Sequence, residues 1–327
     1  MSTAQRTVAI VGAGVSGLIC AQELTQCGMD VVVFEKARGP GGRITTRRRS
    51  DVRFDHGAQY CTAESEAFSS VVRAWFDAGV MVPWMGRFAS WNAGVFSAVE
   101  PRRMRWVGTP RMSAIGRHLA QELTLHLATR IVRLETSASG WRVHAENGEA
   151  WGPFDAVVLS CPGPQAKALL PETSPAHMKA GQLGYASCWA VMMGFDSPVA
   201  LPFDGVEWAH PVLAWSARDS SKPGRADGER WVIHTQPKWS DVHIEDEPDA
   251  VAERVAEQWH TLTGAKPNDI SAHRWRFSLA ESSLDDPAYF DPEMGIGLCG
   301  DGLTGPRIED AWHSGCRMAS RIQETLG

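Results

Sequence analysis

The 327-residue chain has no apolar run near the ~20 residues that a bilayer-spanning helix needs, no internal repeat and no low-complexity tract. It also lacks a long basic run. With a net charge of −6, nucleic acid is not an expected partner, and neither is a membrane. The densest basic cluster, Arg47 to Arg49, follows a glycine-rich stretch and either solvates it or helps to hold phosphate. Seven cysteines are an odd number, scattered and without C-x-x-C spacing, which argues against both a disulfide framework and a metal cage. They fit reduced thiols in a cytoplasm. The mostly apolar stretch from Val8 to Cys20 could be mistaken for a secretory signal, but its glycines and the strand after it suit a folded segment better. Ile19, before Cys20, also lacks the small side chain that a cleavage site wants. Tyrosine is scarce, with three against fourteen tryptophans. The remaining composition, 43% hydrophobic and 21% charged, is that of an ordinary globular chain with one large or two interleaved domains. Nothing in it sets an oligomeric state.

Residues 7–35 read TVAIVGAGVSGLICAQELTQCGMDVVVFE, which is a short apolar strand, a glycine turn, a helical stretch and a second strand. This is the layout of a dinucleotide-binding βαβ unit. Glycines at 12, 14 and 17 allow a tight turn, a close backbone approach to a pyrophosphate and close packing of helix on sheet. The phosphates then sit at the positive end of the helix. Glu35 lies where a carboxylate accepts hydrogen bonds from ribose hydroxyls and would repel a 2′-phosphate. Gly12, Ala13, Gly14, Ser16, Gly17, Glu35 and Lys36 are the candidate contacts of this unit.

Further along, residues 64–79 are expected to form a helix, and 80–108 are rich in Trp, Gly and Arg with short strand-like pieces. A helix is expected from Ser113 to about Leu127. The alternating runs 129–135 and 141–145, joined by SerAlaSerGly, predict a hairpin. Residues 156–164 predict a buried strand with a proline turn. Strands follow at 189–195 and 230–235, then an amphipathic helix at about 247–262. The tail returns to strand, glycine turn and helix. The fold class is therefore α/β, with a discontinuous Rossmann-type nucleotide domain (1–75, 109–165 and 286–327) and an inserted mixed-sheet α+β substrate domain (76–108 and 166–285).

Three further motifs narrow the nucleotide to FAD. Gly41, Gly42 and Arg43 form a second glycine turn that can pass close to a pyrophosphate or flavin, and a plain NAD-binding unit needs no such loop. The sequence AspHisGlyAlaGlnTyr (55–60) gives a small-residue strand end, with Gly57, Ala58 and Gln59, suited to a planar ring. CysGlyAspGly (299–302) places Asp301 where it can bond ribityl hydroxyls, while a helix opening near Ile308 can aim its dipole at the N1/C2=O edge of reduced flavin.

With these motifs in hand, the chain resembles the two-domain flavoprotein oxidases of the p-hydroxybenzoate hydroxylase and amine oxidase type, and within them the renalase family. VGAGVSG (11–17), GGRITT (41–46), DHGAQY (55–60), VIHT (232–235), WRFS (275–278) and GDGLT (300–304) carry the resemblance over nearly the whole length. It implies that Glu35, Arg43, Ile131 (through its backbone) and Asp301 contact FAD. It also implies oxidation of isomeric dihydronicotinamide dinucleotides to β-NAD(P)⁺, with oxygen reduced to hydrogen peroxide. Bacterial members favour the 2-dihydro isomer; the 6-dihydro isomer and the choice between NAD and NADP stay open.

A dihydropyridine that loses hydride becomes an aromatic pyridinium, so no general base is needed. The site must position the ring and exclude water with aromatic walls and a few polar anchors. The candidates are Gln59, Tyr60, His234, Arg274 and Trp275. His234 either hydrogen-bonds the carboxamide or is satisfied in the core, and the VIHT match favours the former. For each tryptophan alone the core is the favoured place. An amine oxidase is the rival enzyme, but its bridging lysine has no obvious counterpart, since Lys222 and Lys238 lie in polar segments near turns. No cysteine occupies a recognisable tethering motif, so FAD is expected to be non-covalent. A flavin-binding protein without turnover is a rival of another class. An NAD-dependent dehydrogenase is disfavoured by the Asp301 motif.

Overall fold

The structure, a computed structural model, describes residues 5–49, 51–100, 102–281 and 284–327. The chain divides into two units, each built from separated segments. The first comprises Met1–Gly42, Gly116–Tyr185 and Ala280–Gly327, and the second Arg43–Ile115 and Ala186–Leu279.

The first unit is built on a six-stranded sheet in the order Ala288–Asp291, Ile296–Cys299, Ala156–Leu159, Thr7–Val11, Asp30–Phe34, Thr124–His126. Its first pair is antiparallel and every other pair parallel. Ala156–Leu159 is buried along its whole length and Thr7–Val11 nearly so, as strands covered on both faces must be. The helices Val15–Gln26 and Ile308–Leu326 pack closely on one another. Gly315 permits this: a Cβ there would lie 2.5 Å from the Ser16 carbonyl oxygen. A three-stranded antiparallel sheet, Ile131–Ser137, Gly140–Ala145 and Ala150–Phe154, completes the unit and packs Trp141, Val143 and Phe154 against the parallel strands.

The second unit is organised by a seven-stranded mixed sheet in the order Asp269–Ala280, Tyr185–Phe195, Glu229–Thr235, Leu213–Arg218, Gly205–Ala209, Phe88–Asn92, Val95–Ala98. The helix Pro248–Thr263 drives Val251, Val255 and Trp259 into a core with Trp189, Trp208, Trp231 and Ile233. It ends on Gly264, whose φ of +73° is the left-handed conformation that glycine adopts without strain. Trp231 and Trp259 meet at 5.0 Å between ring centres. Because side chains alternate along a strand, Val232 and His234 emerge on the opposite face, where Val232 packs with Phe54 and Met192.

The structure departs from the sequence expectations in three places. The helix opening at Ser113 stops at Leu119, and Thr124–His126 instead joins the parallel sheet beside Asp30–Phe34. The chain reverses through Glu122 at φ +64°, and pairing to an open sheet edge wins over helical propensity. The hairpin gains a third strand, Ala150–Phe154. The unit boundaries also fall elsewhere, since 43–75 and 109–115 group with the second unit and 166–185 and 280–285 with the first.

Gly315→Ala is expected to lower the urea midpoint with the denaturant slope unchanged, by about 1–3 kcal/mol of overpacking. An unaltered midpoint would show that the helix pair accommodates the methyl group.

Candidate active site

In the first unit, the turn after the opening strand is shaped by its glycines. Gly12 sits at φ +112°, and a Cβ there would lie 2.6 Å from the Ser160 carbonyl oxygen. At Gly17 a Cβ would lie 2.1 Å from the Gly12 oxygen, whereas at Gly14 it would meet nothing within 4 Å. The two outer glycines thus close the turn against its own backbone, while the middle one faces open space. Ser16 is buried and shares a 2.8 Å hydrogen bond with Ser160. Gly42, at φ +56°, would bring a Cβ to 3.3 Å from the Gly14 Cα, and the Gly41 N–H donates to the Ala13 carbonyl at 2.7 Å.

The Glu35 carboxylate accepts the Ala13 N–H at 2.8 Å and the Ala37 N–H at 2.7 Å, tying the turn to the second strand. Two of its roughly four acceptor positions remain for ribose hydroxyls. Lys36 is exposed and bonds Gln165 at 2.9 Å. Ile131 opens its strand with its side chain in the core, leaving only its backbone for a ligand. Asp301 is buried at the start of a 3₁₀ turn that follows Gly300. The helix opening at Ile308 carries Glu309 and Asp310 in its first turn, and Asp310 accepts the Arg307 N–H at 3.0 Å. These acids offset the positive end of the helix that a reduced flavin would use. The open Gly14 surface, the carboxylate beneath it and the positive end of the helix Val15–Gln26 fit a dinucleotide.

In the second unit, the loop 55–60 is held from below by a buried ionic cluster. Lys222 donates at 2.9 Å to both Asp219 and the Gln59 side-chain oxygen, and lies 3.7 Å from Asp55. Asp55 also accepts Thr46 Oγ1 at 2.6 Å, the Met112 N–H at 3.1 Å and the Arg225 guanidinium. Burial pulls the Asp55 carboxyl upward, but Lys222, Arg225 and Thr46 hold it below its ordinary value. Burial raises that of Asp219, with the Asp55 charge adding to the rise against Lys222. Since an ammonium only donates, Lys222 fixes the Gln59 amide, whose nitrogen donates to the Asp55 and Gly57 carbonyls. Gln59 is therefore a fixed element and not a free anchor. Gly57 likewise answers to backbone packing, since a Cβ there would collide with the Arg43 carbonyl, which also accepts the Ala58 N–H at 2.9 Å. Arg43 donates to the Ser278 carbonyl at 2.9 Å.

His234 and Trp275 converge on one atom. His234 Nε2 lies 3.2 Å from the His56 carbonyl oxygen, and Trp275 Nε1 donates to that oxygen at 3.0 Å. The His56 ring packs at 4.6 Å from His273 and 5.2 Å from Trp275. Burial, with neighbouring His273 and Arg47, lowers His56 to about 3. Burial likewise lowers His234 and His273 to about 4 each. All three imidazoles are neutral near pH 7. Tyr60 belongs to a neighbouring aromatic group, 5.7 Å from Trp215, which is the cross-strand partner of His234. Arg274 does not join them. It points to the other face of its strand, donating to Glu245 at 3.3 Å and to the Asp246 carbonyl at 2.8 Å, above the Trp189 ring.

Lys222, Asp219, Arg225, His56, His273 and Trp215 were not among the sequence candidates. His56 lies inside the motif 55–60 and could have been read there, but the burial of Lys222 beside a turn leaves no mark in the sequence.

Lys222→Met should cost about 3–5 kcal/mol by stranding Asp219 and Gln59, with partial recovery in Lys222→Met/Asp219→Asn; equal loss in both would remove Lys222 from this role. The depressed histidines stabilise the fold fully above their unfolded value near 6.5, and this is lost as pH falls toward about 4 for His234 and His273 and about 3 for His56. His56→Phe should flatten the fall in urea midpoint over that window. An unchanged slope would assign it to other groups.

Among known proteins, residues 10–75 match the NAD(P)-binding Rossmann-like domain, and residues 100–323 match the flavin containing amine oxidoreductase family. The bifunctional tRNA 5-methylaminomethyl-2-thiouridine biosynthesis protein MnmC of Magnetococcus marinus is 29% identical over 54% of this chain, which spans about a third (32%) of that protein's length. The possible lysine-specific histone demethylase 1 of Drosophila melanogaster is 47% identical over 17% of this chain and 6% of its own. A putative protoporphyrinogen oxidase from Exiguobacterium superposes with a TM-score of 0.81 over 99% of this chain and 100% of its own at 14% identity, which shows the shared fold. A putrescine oxidase superposes at 0.72 over 98% and 99% with 13% identity. Since the second family match alone covers 224 of the 327 residues, the chain belongs to the flavin containing amine oxidoreductases, a flavin-dependent oxidoreductase on a Rossmann-type α/β fold.

Proposed function

We propose that the protein binds FAD without a covalent bond and oxidises isomeric dihydronicotinamide dinucleotides, chiefly the 2-dihydro form, to β-NAD(P)⁺ in the manner of the renalases. One observation carries this reading. The side chains that meet the His56 carbonyl are His234 and Trp275, a neutral imidazole and an indole, while two buried acids nearby, Asp55 in the adjoining loop and Asp219 beside Lys222, are committed to Lys222 and Arg225. Such a surface suits an uncharged dihydropyridine, whose oxidation needs positioning and no proton acceptor. Asp55 and Asp219, so committed, are not available to a substrate ammonium.

FAD supplies a two-electron acceptor when bound. In the first unit, the residues that would hold it are Gly14 and Ser16 at the pyrophosphate, Glu35 at the ribose and Asp301 at the ribityl chain. Toward the substrate, Trp275 and Tyr60 provide ring walls and His234 a neutral hydrogen-bonding group. Overall, one dihydro isomer, one proton and one O₂ give one β-NAD(P)⁺ and one H₂O₂. Burial holds the thiols of Cys161 and Cys299 at about 12 and about 11, so they stay protonated and are poor groups for attaching a flavin. All seven cysteines are free, in keeping with the reducing cytoplasm we assign to the protein. Among the described residues, no helix is long and apolar enough to cross a membrane.

Three experiments test the proposal. Denaturation and centrifugation should leave the yellow colour in the supernatant, and a yellow pellet would mean a covalent flavin. Without air, 2-dihydro isomers should bleach the flavin within a mixing time and fresh β-NADH and simple amines far more slowly. Rapid bleaching by a polyamine, with the dihydro isomers inert, would make the protein an amine oxidase. Asp301→Ala should weaken FAD binding roughly tenfold to a hundredfold, the value of a charge-assisted hydrogen bond, and unchanged flavin content after dialysis would remove that contact.

A further inference from the structure

In the second unit, half-buried Arg105 is stacked among aromatic rings, and among the described residues its Nη1 meets no acceptor. Its guanidinium carbon lies 3.7 Å from the ring centre of Phe88, 4.8 Å from that of Tyr60 and 5.5 Å from that of Trp215. Trp84 completes the group, 4.9 Å from Phe88 and 6.4 Å from Tyr60. Stacking satisfies the faces of a guanidinium but leaves its edge, where five N–H donors lie in the plane. Among the described residues no carboxylate or other acceptor meets that edge, and Arg105 Nη1 is buried without a hydrogen-bond partner. The same holds for Trp215 Nε1. Trp84 differs, because its indole N–H donates to Ser221 Oγ at 3.1 Å.

Two buried donors on adjoining side chains, both unmatched, are a departure from the near-complete pairing of protein interiors. Their common need is an oxygen acceptor brought from outside the chain. Trp215 also stands directly across the strand pair from His234, so the two lie on one face of the sheet.

We propose that Arg105 and Trp215 form a donor pair for the oxygen of a planar carbonyl group, a carboxamide or carboxylate carried on an aromatic or dihydroaromatic ring, and that they set the substrate's orientation. The nicotinamide carboxamide is such a group, and in that respect the inference rests on the dinucleotide reading above and deepens it. A resident guanidinium disfavours ammonium groups, which are of like charge. It favours a carboxylate over a carboxamide, since that hydrogen bond is charge-assisted on both sides.

The test uses flavin-loaded protein and non-reacting probes, with binding read from quenching of tryptophan fluorescence and from shifts in the flavin spectrum. Nicotinamide and benzoate should bind saturably, and pyridine, which has no carbonyl, at least tenfold more weakly. Arg105→Met should weaken nicotinamide and benzoate roughly tenfold to a hundredfold and leave pyridine unchanged. Trp215→Phe, which keeps the ring and loses the N–H, should weaken both carbonyl probes by a smaller factor. Nicotinamide binding no tighter than pyridine in the wild type would overturn the inference. So would variants that bind all three probes as the parent does, or that lose all three equally. Anaerobic bleaching by the dihydro isomer is scored separately. If the probes behave as expected and bleaching fails, the donor pair stands and the dinucleotide reading falls.

Discussion

Lys222 brings a positive charge into the second unit with none of its side chain exposed, a placement that costs on the order of several kcal/mol unless good geometry compensates it. Asp219, Asp55 and the Gln59 oxygen supply that geometry, and Arg225 balances the second acid. The consequence is positional. Gln59 cannot turn, Gly57 is pressed on Arg43, and the His56 carbonyl is offered to His234 and Trp275 together. A loop of six residues, 55–60, thereby holds a fixed shape without regular secondary structure of its own.

The first unit solves a different problem, which is to keep backbone amides accessible at a helix end. Gly12 and Gly17 press the turn against the strand end at Ser160, and Glu35 ties it to the second strand, so that Gly14 alone faces outward. Glycine is required at 12 and 17 because neighbouring backbone already fills the Cβ position. At 14 the case is different: a Cβ there would meet nothing within 4 Å, which leaves the open space that a dinucleotide-binding turn offers a pyrophosphate. In each unit, taken by itself, the local backbone shape is fixed by the chain's own contacts.

The parts of this account that the sequence disclosed are those whose physics is local. The βαβ unit follows from apolar strands, spaced glycines and one acid, and each strand run at 189–195 and 230–235 lies within an observed strand. Trp189, Trp208, Trp231 and Trp259 lie in the core, as the preference for buried tryptophan anticipates. What stayed hidden depends on residues far apart in the chain. Lys222 reads as a turn lysine because its three partners lie at 55, 59 and 219, two of them more than 150 residues away. Arg274 and Trp275 are adjacent in sequence but point to opposite faces of one strand, so grouping them was an error of alternation that the pleat would have corrected. The end of the helix at Leu119 was invisible for a similar reason, because the sheet edge that captures Thr124–His126 is supplied by Asp30–Phe34.

The function proposed for the protein is removal of hydride from one ring carbon of an uncharged dihydropyridine. The direct measurement is anaerobic flavin bleaching by 2-dihydro-NAD carrying deuterium at C2, compared with the same isomer labelled at C4. The account predicts slower bleaching with the C2 label only and a β-NAD⁺ product from which the transferred C2 label is missing. Slowing by the C4 label, or a product that keeps all its C2 deuterium, would contradict it.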